Sequence, residues 1–165
     1  MKLKKSKAFQ ALHELLYAEG KRKYPNLPES AITTLQKYSS KTPANRLTAQ
    51  IIDFIRLKGG QAERINTMGR YLKGTKQFTD SVGFRHQIGN DKYIPTIGTK
   101  GSADVSAVIQ GRPVKIEIKI GSDRQSENQI KYAESVEKAG GIYFIAKDFE
   151  SFYEYYEYYL TMANM

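Results

Sequence analysis

Between Gly111 and Gly121 the chain alternates with a period of two: Val114, Ile116, Ile118 and Ile120 fall on one side of an extended segment, Lys115, Glu117 and Lys119 on the other. This pattern predicts a strand with one face to bury against helices and one that carries a carboxylate between two ammonium groups. The preceding stretch Ala103–Ile109 is apolar apart from Asp104 and Ser106, and Gln110-Gly111-Arg112-Pro113 joins it to the first, so the two segments predict a β-hairpin. With Gly111-Arg112 as a two-residue turn, Gln110 faces Pro113, Asp104 faces Lys119 and Ser106 faces Glu117. Directly opposed residues share a face, so this register brings Asp104, Glu117 and Lys119 together. A turn longer by one residue would separate the acid from the other two.

Helical spacing governs most of the remainder. Phe9, Leu12, Leu15, Leu16 and Ala18 predict a helix over 6–19 that stops at Gly20, before the basic Lys21-Arg22-Lys23; after Pro25 and Pro28, residues 29–38 predict a second, short one. Leu47, Ile51, Ile52, Phe54 and Ile55 describe an amphipathic helix over 46–58 ended by Gly59-Gly60, with a first strand over 61–67. Ile130, Ala133, Val136 and Ala139 predict a helix that stops at Gly140-Gly141, and the continuous apolarity of Ile142–Ala146 predicts a buried strand. A strand, a helix and a return strand make a parallel crossover within a mixed sheet. Asp148 caps a last helix over 149–162, whose Phe152, Tyr153, Tyr155, Tyr156, Tyr158 and Tyr159 exceed what one core face absorbs. Some should pack on the amino-terminal arm or across a subunit interface, with core packing the simpler reading for any one of them.

The stretch 68–97 lacks strong periodicity and mixes glycine with Arg70, Tyr71, Lys73, Lys76, Phe78, Arg85, His86, Lys92 and Tyr93. Two readings stand: a solvated loop or extra hairpin, and a nucleic-acid groove where cations track phosphates and rings stack on bases. His86 is more simply a surface residue than a base or ligand.

Composition narrows the class. No apolar run approaches the length of a membrane span, and the lysine-rich start is not followed by an apolar signal region, so an intracellular protein with no membrane partner is expected. The absence of cysteine excludes disulfides, thiolate zinc sites and thiol catalysis. A net charge of +9 favours a polyanionic partner.

Two acids a few ångströms apart repel unless a cation lies between them, and carboxylate oxygens suit Mg²⁺ or Mn²⁺. A neighbouring lysine can orient water or offset charge on a phosphate oxygen. The ordered set Gly98-Thr99-Lys100-Gly101-Ser102-Ala103-Asp104, Glu117-Ile118-Lys119, Ser126-Glu127-Asn128-Gln129 and Ala139-Gly140-Gly141 resembles the virus-type replication-repair nuclease (VRR-NUC) group of the PD-(D/E)XK nucleases, over roughly residues 45–150. The acid-x-lysine triplet alone is unspecific, since Glu19-Gly20-Lys21 has the same form without alternation or an upstream acid. The resemblance implies an α/β fold with a restriction-endonuclease-like core, a four-stranded mixed sheet flanked by helices. That nuclease domain would occupy residues 45–165, behind an amino-terminal helical arm over 1–44. Asp104 and Glu117, with the backbone carbonyl of Ile118, are the implied metal ligands, Lys119 the catalytic lysine, and Gln129 a residue at the edge of the site. Ser126–Gln129 also reads as a capping box, which explains both residues without catalysis. Ala103 stands where the superfamily has its proline. The stretch Ala44–Gln50 lacks the helix acid usual in this group, which leaves Gln50 as a candidate neutral ligand.

The expected function is therefore Mg²⁺- or Mn²⁺-dependent endonucleolytic hydrolysis of DNA in replication, recombination or repair of a virus or mobile element, with branched DNA such as four-way junctions as a candidate substrate. Arg64, Arg70, Lys73, Lys76, Arg85 and Lys100 form the expected DNA-binding set. Symmetric incision of two strands would need two sites, hence a homodimer through the last helix and the apolar face of the arm; packing of those two helices within a monomer is the alternative. The rival readings are a restriction-type endonuclease, whose sequence-reading element is not apparent in the chain, and a non-catalytic DNA-binding module on a nuclease scaffold.

Overall fold

The computed structural model describes residues 6–35, 38, 42–66, 69–95 and 98–161. Its elements in chain order are α1 (Lys7–Lys23), α2 (Glu29–Leu35), α3 (Pro43–Leu57), β1 (Gln61–Arg64), β2 (Arg70–Leu72), β3 (Thr75–Thr79), β4 (Arg85–Gly89), β5 (Lys92–Ile94), β6 (Val105–Ile109), β7 (Arg112–Ile118), α4 (Glu127–Lys138), β8 (Ile142–Ala146) and α5 (Phe149–Tyr155), which continues as a π-helix over Tyr156–Thr161. They divide into two compact units, residues 1–65 with 101–165, and residues 66–100. Among the described residues no helix is long and apolar enough to cross a membrane.

The first unit is mixed α/β, built on a four-stranded mixed sheet of order β1-β6-β7-β8 flanked by helices. The ladders β1–β6 and β6–β7 are antiparallel, and β7–β8 is the expected parallel pair. Val105, Ala107 and Ile109 of β6 and Val114, Ile116 and Ile118 of β7 are buried on one face, where Leu47, Ile51, Phe54 and Ile55 of α3 cover them. Phe54 is the hub of that layer: it meets Phe149, Phe152, Tyr153 and Tyr156 edge-on, with centroids 5.1–6.1 Å apart. Such pairs contribute about 0.5–1.5 kcal/mol each beyond area burial. Tyr155 stacks instead on Phe144 of β8 at 4.1 Å, so two surfaces share the aromatic excess of α5. Helix α1 packs on the same layer through Ala8 and Leu12, and Phe9 lies 5.3 Å from Phe149. The arm and the last helix thus pack on each other within one chain. Helix α4 lies over the opposite face, where Tyr132 meets Tyr143.

Several boundaries differ from the sequence-based expectation. Helix α1 runs through Gly20 to Lys23, because Tyr24 N–H bonds the Gly20 carbonyl and carries the last turn past the glycine. The first strand ends at Arg64, short of Thr67, which lies outside the described residues together with Met162 and part of 29–38. Strand β8 is only half-buried up to Ala146, since it is an edge strand. The hairpin turn is Gln110-Gly111, not Gly111-Arg112: both residues have positive φ, 50° and 77°, as a type I′ turn requires, and glycine accepts that conformation at its second position.

In the second unit the stretch expected as a loop or extra hairpin is a hairpin. β2 pairs with β5 and β3 with β4, in one register: Arg70↔Ile94, Thr75↔Gly89 and Thr79↔Arg85 belong to a single ladder. The Asn90 N–H to Gly74 carbonyl bond, 2.8 Å, carries it across the break. Ten residues per arm give a ribbon about 34 Å long. At its tip Asp80 Oδ1 accepts from Val82 N and Phe84 N, and Oδ2 lies 2.7 Å from His86 Nε2.

Candidate active site

The shifted turn changes which residues face each other but keeps their faces, because it moves the register by two. Val105 pairs with Ile116, and the next step sets Asp104 against Glu117 instead of Lys119. Asp104 is tied there twice: its carbonyl accepts from Ile65 N at 2.8 Å and its Oδ2 from Ile118 N at 2.9 Å. Lys119 follows the end of β7, its N–H bonded to the Ala146 carbonyl at 3.0 Å. Asp104, Glu117 and Lys119 therefore converge on the sheet face opposite α3.

Glu117 and Lys119 are buried, at 2% and 8% exposure, which is unusual for charged side chains and requires partners. Lys119 Nζ lies 3.2 Å from Glu117 Oε1, 3.2 Å from Gln129 Oε1 and 3.4 Å from Asp123 Oδ2. Gln129 bridges the pair. Its Oε1 accepts from Lys119 Nζ and from Ser126 N, so its Nε2 is directed at Glu117 Oε1, to which it donates. The capping box and the site contact are thus one arrangement: the reciprocal Ser126–Gln129 bonds fix the first turn of α4, and the same amide holds the acid and the lysine. Gly101 makes room for it. With φ +78°, its backbone lies so close to α4 that a Cβ would fall against the Asn128 carbonyl and 2.7 Å from Gln129 N.

Burial raises the Glu117 carboxyl above the usual carboxylate range, and the Asp104 charge adds to this, while Lys119 and the Tyr143 hydroxyl oppose it. Tyr143 donates to Glu117 Oε2 at 3.4 Å, and burial beside that carboxylate raises its own phenol. Two like charges on neighbouring strands, one of them desolvated, are a donor set that a divalent cation would satisfy. Among the described residues no group of three or more His, Asp and Glu side chains is placed to hold one. The stretch Ala44–Gln50, where the resemblance implies an acid, lies in α3, and Gln50, the candidate neutral ligand, is buried there. No protein-family model matches the chain, and no curated protein matches it.

The remaining candidates are on other elements. Arg64 is exposed on β1, where its guanidinium donates to Asn45 Oδ1 at 2.7 Å, and Lys100 is exposed just before Gly101. Arg70, Lys73, Lys76 and Arg85 are exposed in the ribbon. Sequence reasoning missed Tyr143 and Asp123. The parallel register Glu117↔Ile145 puts Tyr143, two residues before Ile145, on the Glu117 face, a placement that needs the strand pairing as well as the apolar run. Asp123 returns to Lys119 four residues on, through the turn that contains Gly121.

Proposed function

We propose that this chain is a divalent-metal-dependent DNA endonuclease with a restriction-endonuclease-like core of the VRR-NUC kind. The reading rests on one observation: Asp104 and Glu117, opposed across the β6–β7 hairpin, share a face with the buried Lys119. Asp104, Glu117 and the Ile118 carbonyl would hold Mg²⁺ or Mn²⁺. When bound, that ion lowers the pKa of a water and offsets charge on a phosphate oxygen. Lys119 Nζ orients the attacking water or the scissile phosphate, and it is an ammonium donor, not a ligand. Gln129 keeps that ammonium beside Glu117, and Tyr143 holds the second Glu117 oxygen. Arg64, Lys100 and the ribbon cations Arg70, Lys73, Lys76 and Arg85 are the candidate phosphate contacts. An intracellular protein of viral or mobile-element origin, acting as a homodimer on branched DNA, completes the reading.

A second reading, a non-catalytic DNA-binding module, is favoured by the lack of an acid in Ala44–Gln50, the helix stretch where the resemblance implies one. Cleavage of labelled linear, flap and four-way DNA in Mg²⁺, Mn²⁺ or EDTA separates the two. Metal-dependent cleavage that disappears in Glu117→Gln supports the nuclease, whereas DNA binding without cleavage in any metal supports the module.

A further inference from the structure

Two rungs of the β6–β7 ladder lie next to each other on the sheet face opposite α3. One opposes Asp104 to Glu117, the other Ser106 to Lys115. The acid rung is the candidate metal site. The other rung has no part in it, although Lys115 projects from β7 on the same side as Glu117 and Lys119. Lys115 Nζ donates to Ser106 Oγ at 2.6 Å. Both residues are half-buried, and Lys115 makes no ion pair among the described residues.

Lys115 lacks a carboxylate because the acids beside it are engaged with other groups. Glu117 Oε1 accepts from Lys119 and Gln129 and its Oε2 from Tyr143, the other cross-strand neighbour of Lys115, while Asp104 Oδ2 accepts from Ile118 N. An ammonium has three N–H donors and no acceptor, and Ser106 takes one of them. Since Ser106 Oγ accepts from Lys115, its own proton is free to be donated to another group. The rung therefore presents donors alone, with a positive charge, where water is partly excluded. An anion that offers only acceptors, such as a phosphate diester, satisfies that set. Successive rungs on one face are ~6.8 Å apart, close to the separation of neighbouring phosphates along a nucleic-acid strand.

We propose that Lys115 and Ser106 bind the backbone phosphate next to the one held at the acid rung. This rests on the nuclease reading and adds the path of the strand: it follows β7 from Lys119 toward the Gln110-Gly111 turn. A contact to phosphate alone positions the strand without reading its sequence.

The test is fluorescence anisotropy on the full chain in EDTA, with a labelled duplex of about twenty base pairs over a series of salt concentrations. Lys115→Ala should weaken binding about fivefold or more and lower the slope of log affinity against log salt by about one, whereas Lys115→Arg should keep the slope. Ser106→Ala should weaken binding about twofold to fivefold with the slope kept, since a neutral donor displaces no counterion. Lys138→Ala removes an equal charge at the far end of α4 and should change neither. Circular dichroism confirms that each variant folds. An unchanged slope in Lys115→Ala, or an equal fall in Lys115→Arg or Lys138→Ala, would overturn the proposal, as would no binding by wild type. In Mg²⁺, a neutral methylphosphonate in place of one or the other phosphate beside the mapped cut locates the contact: at one of them wild type should show a raised KM and Lys115→Ala no further rise. Equal rises in both proteins at both positions would also overturn it. Cleavage of unmodified DNA judges the nuclease reading separately. A chain that binds DNA through Lys115 and never cuts it removes that reading and leaves the phosphate contact, whereas one that cuts with the Lys115→Ala slope unchanged leaves the reading and removes the contact.

Discussion

The hairpin β6–β7 and the ribbon β2–β5 are built on the same antiparallel ladder and use it oppositely. In the first, one face is buried under α3 and the other carries Glu117 and Lys119 beneath the first turn of α4, so each functional atom is held by a strand and a second element. In the second, both faces are exposed, and local bonds from Asp80 and Asp91 hold the shape. Chemistry that depends on sub-ångström placement belongs on the first kind of hairpin. Contact with a long, flexible polymer suits the second, whose side chains are free to adapt.

That contrast can be broken by substitution. The largest expected effect is at the site: Asp104→Asn or Glu117→Gln should lower cleavage by at least about a hundredfold with DNA binding kept, whereas Lys76→Ala should weaken binding and its salt dependence while turnover at saturating DNA changes little. Gel-based cleavage and salt-titrated binding measure the two. Next is stability: Ile116→Ala, in the packed face, should cost about 2–5 kcal/mol in urea unfolding, and Ile88→Ala in the ribbon at most about 0.5 kcal/mol. Equal costs would show that the ribbon face is packed after all. Gly101→Ala should cost about 1–3 kcal/mol, through strain at positive φ and the clash with α4, and should reduce turnover by displacing Gln129. The smallest effect is a pH dependence. Glu117 titrates above its ordinary value of 4.5, so its contribution is fully present below that pH and is lost as pH rises through the folded value. In EDTA, wild type should therefore lose stability relative to Glu117→Gln as pH rises from below 4.5 toward neutrality, and the reverse trend in urea midpoints would contradict the burial argument.

Much of the first hairpin was legible because its side chains alternate strictly: the apolar residues of β7 named its buried face, and Glu117 and Lys119 their shared one. The turn was misplaced by one residue because Gln110 at positive φ has no compositional mark, while Gly111 suits either position. The faces survived because the slip changed the register by two. Tyr143 stayed hidden for a different reason, since its approach to Glu117 depends on which strand β8 pairs with, a long-range fact. The ribbon was least legible. Its alternation mixes Leu72, Phe78 and Ile88 with lysines on the same face, so no buried face announces itself.

In the proposed mechanism Asp104 and Glu117 form a divalent-cation site in which Lys119 takes part without being a ligand. Calorimetric titration of Mn²⁺ into wild type, Asp104→Asn, Glu117→Gln and Lys119→Ala tests it directly. A saturable isotherm is expected in wild type and in Lys119→Ala, and its loss in both acid variants. Mn²⁺ binding that persists undiminished in Asp104→Asn and Glu117→Gln would contradict it.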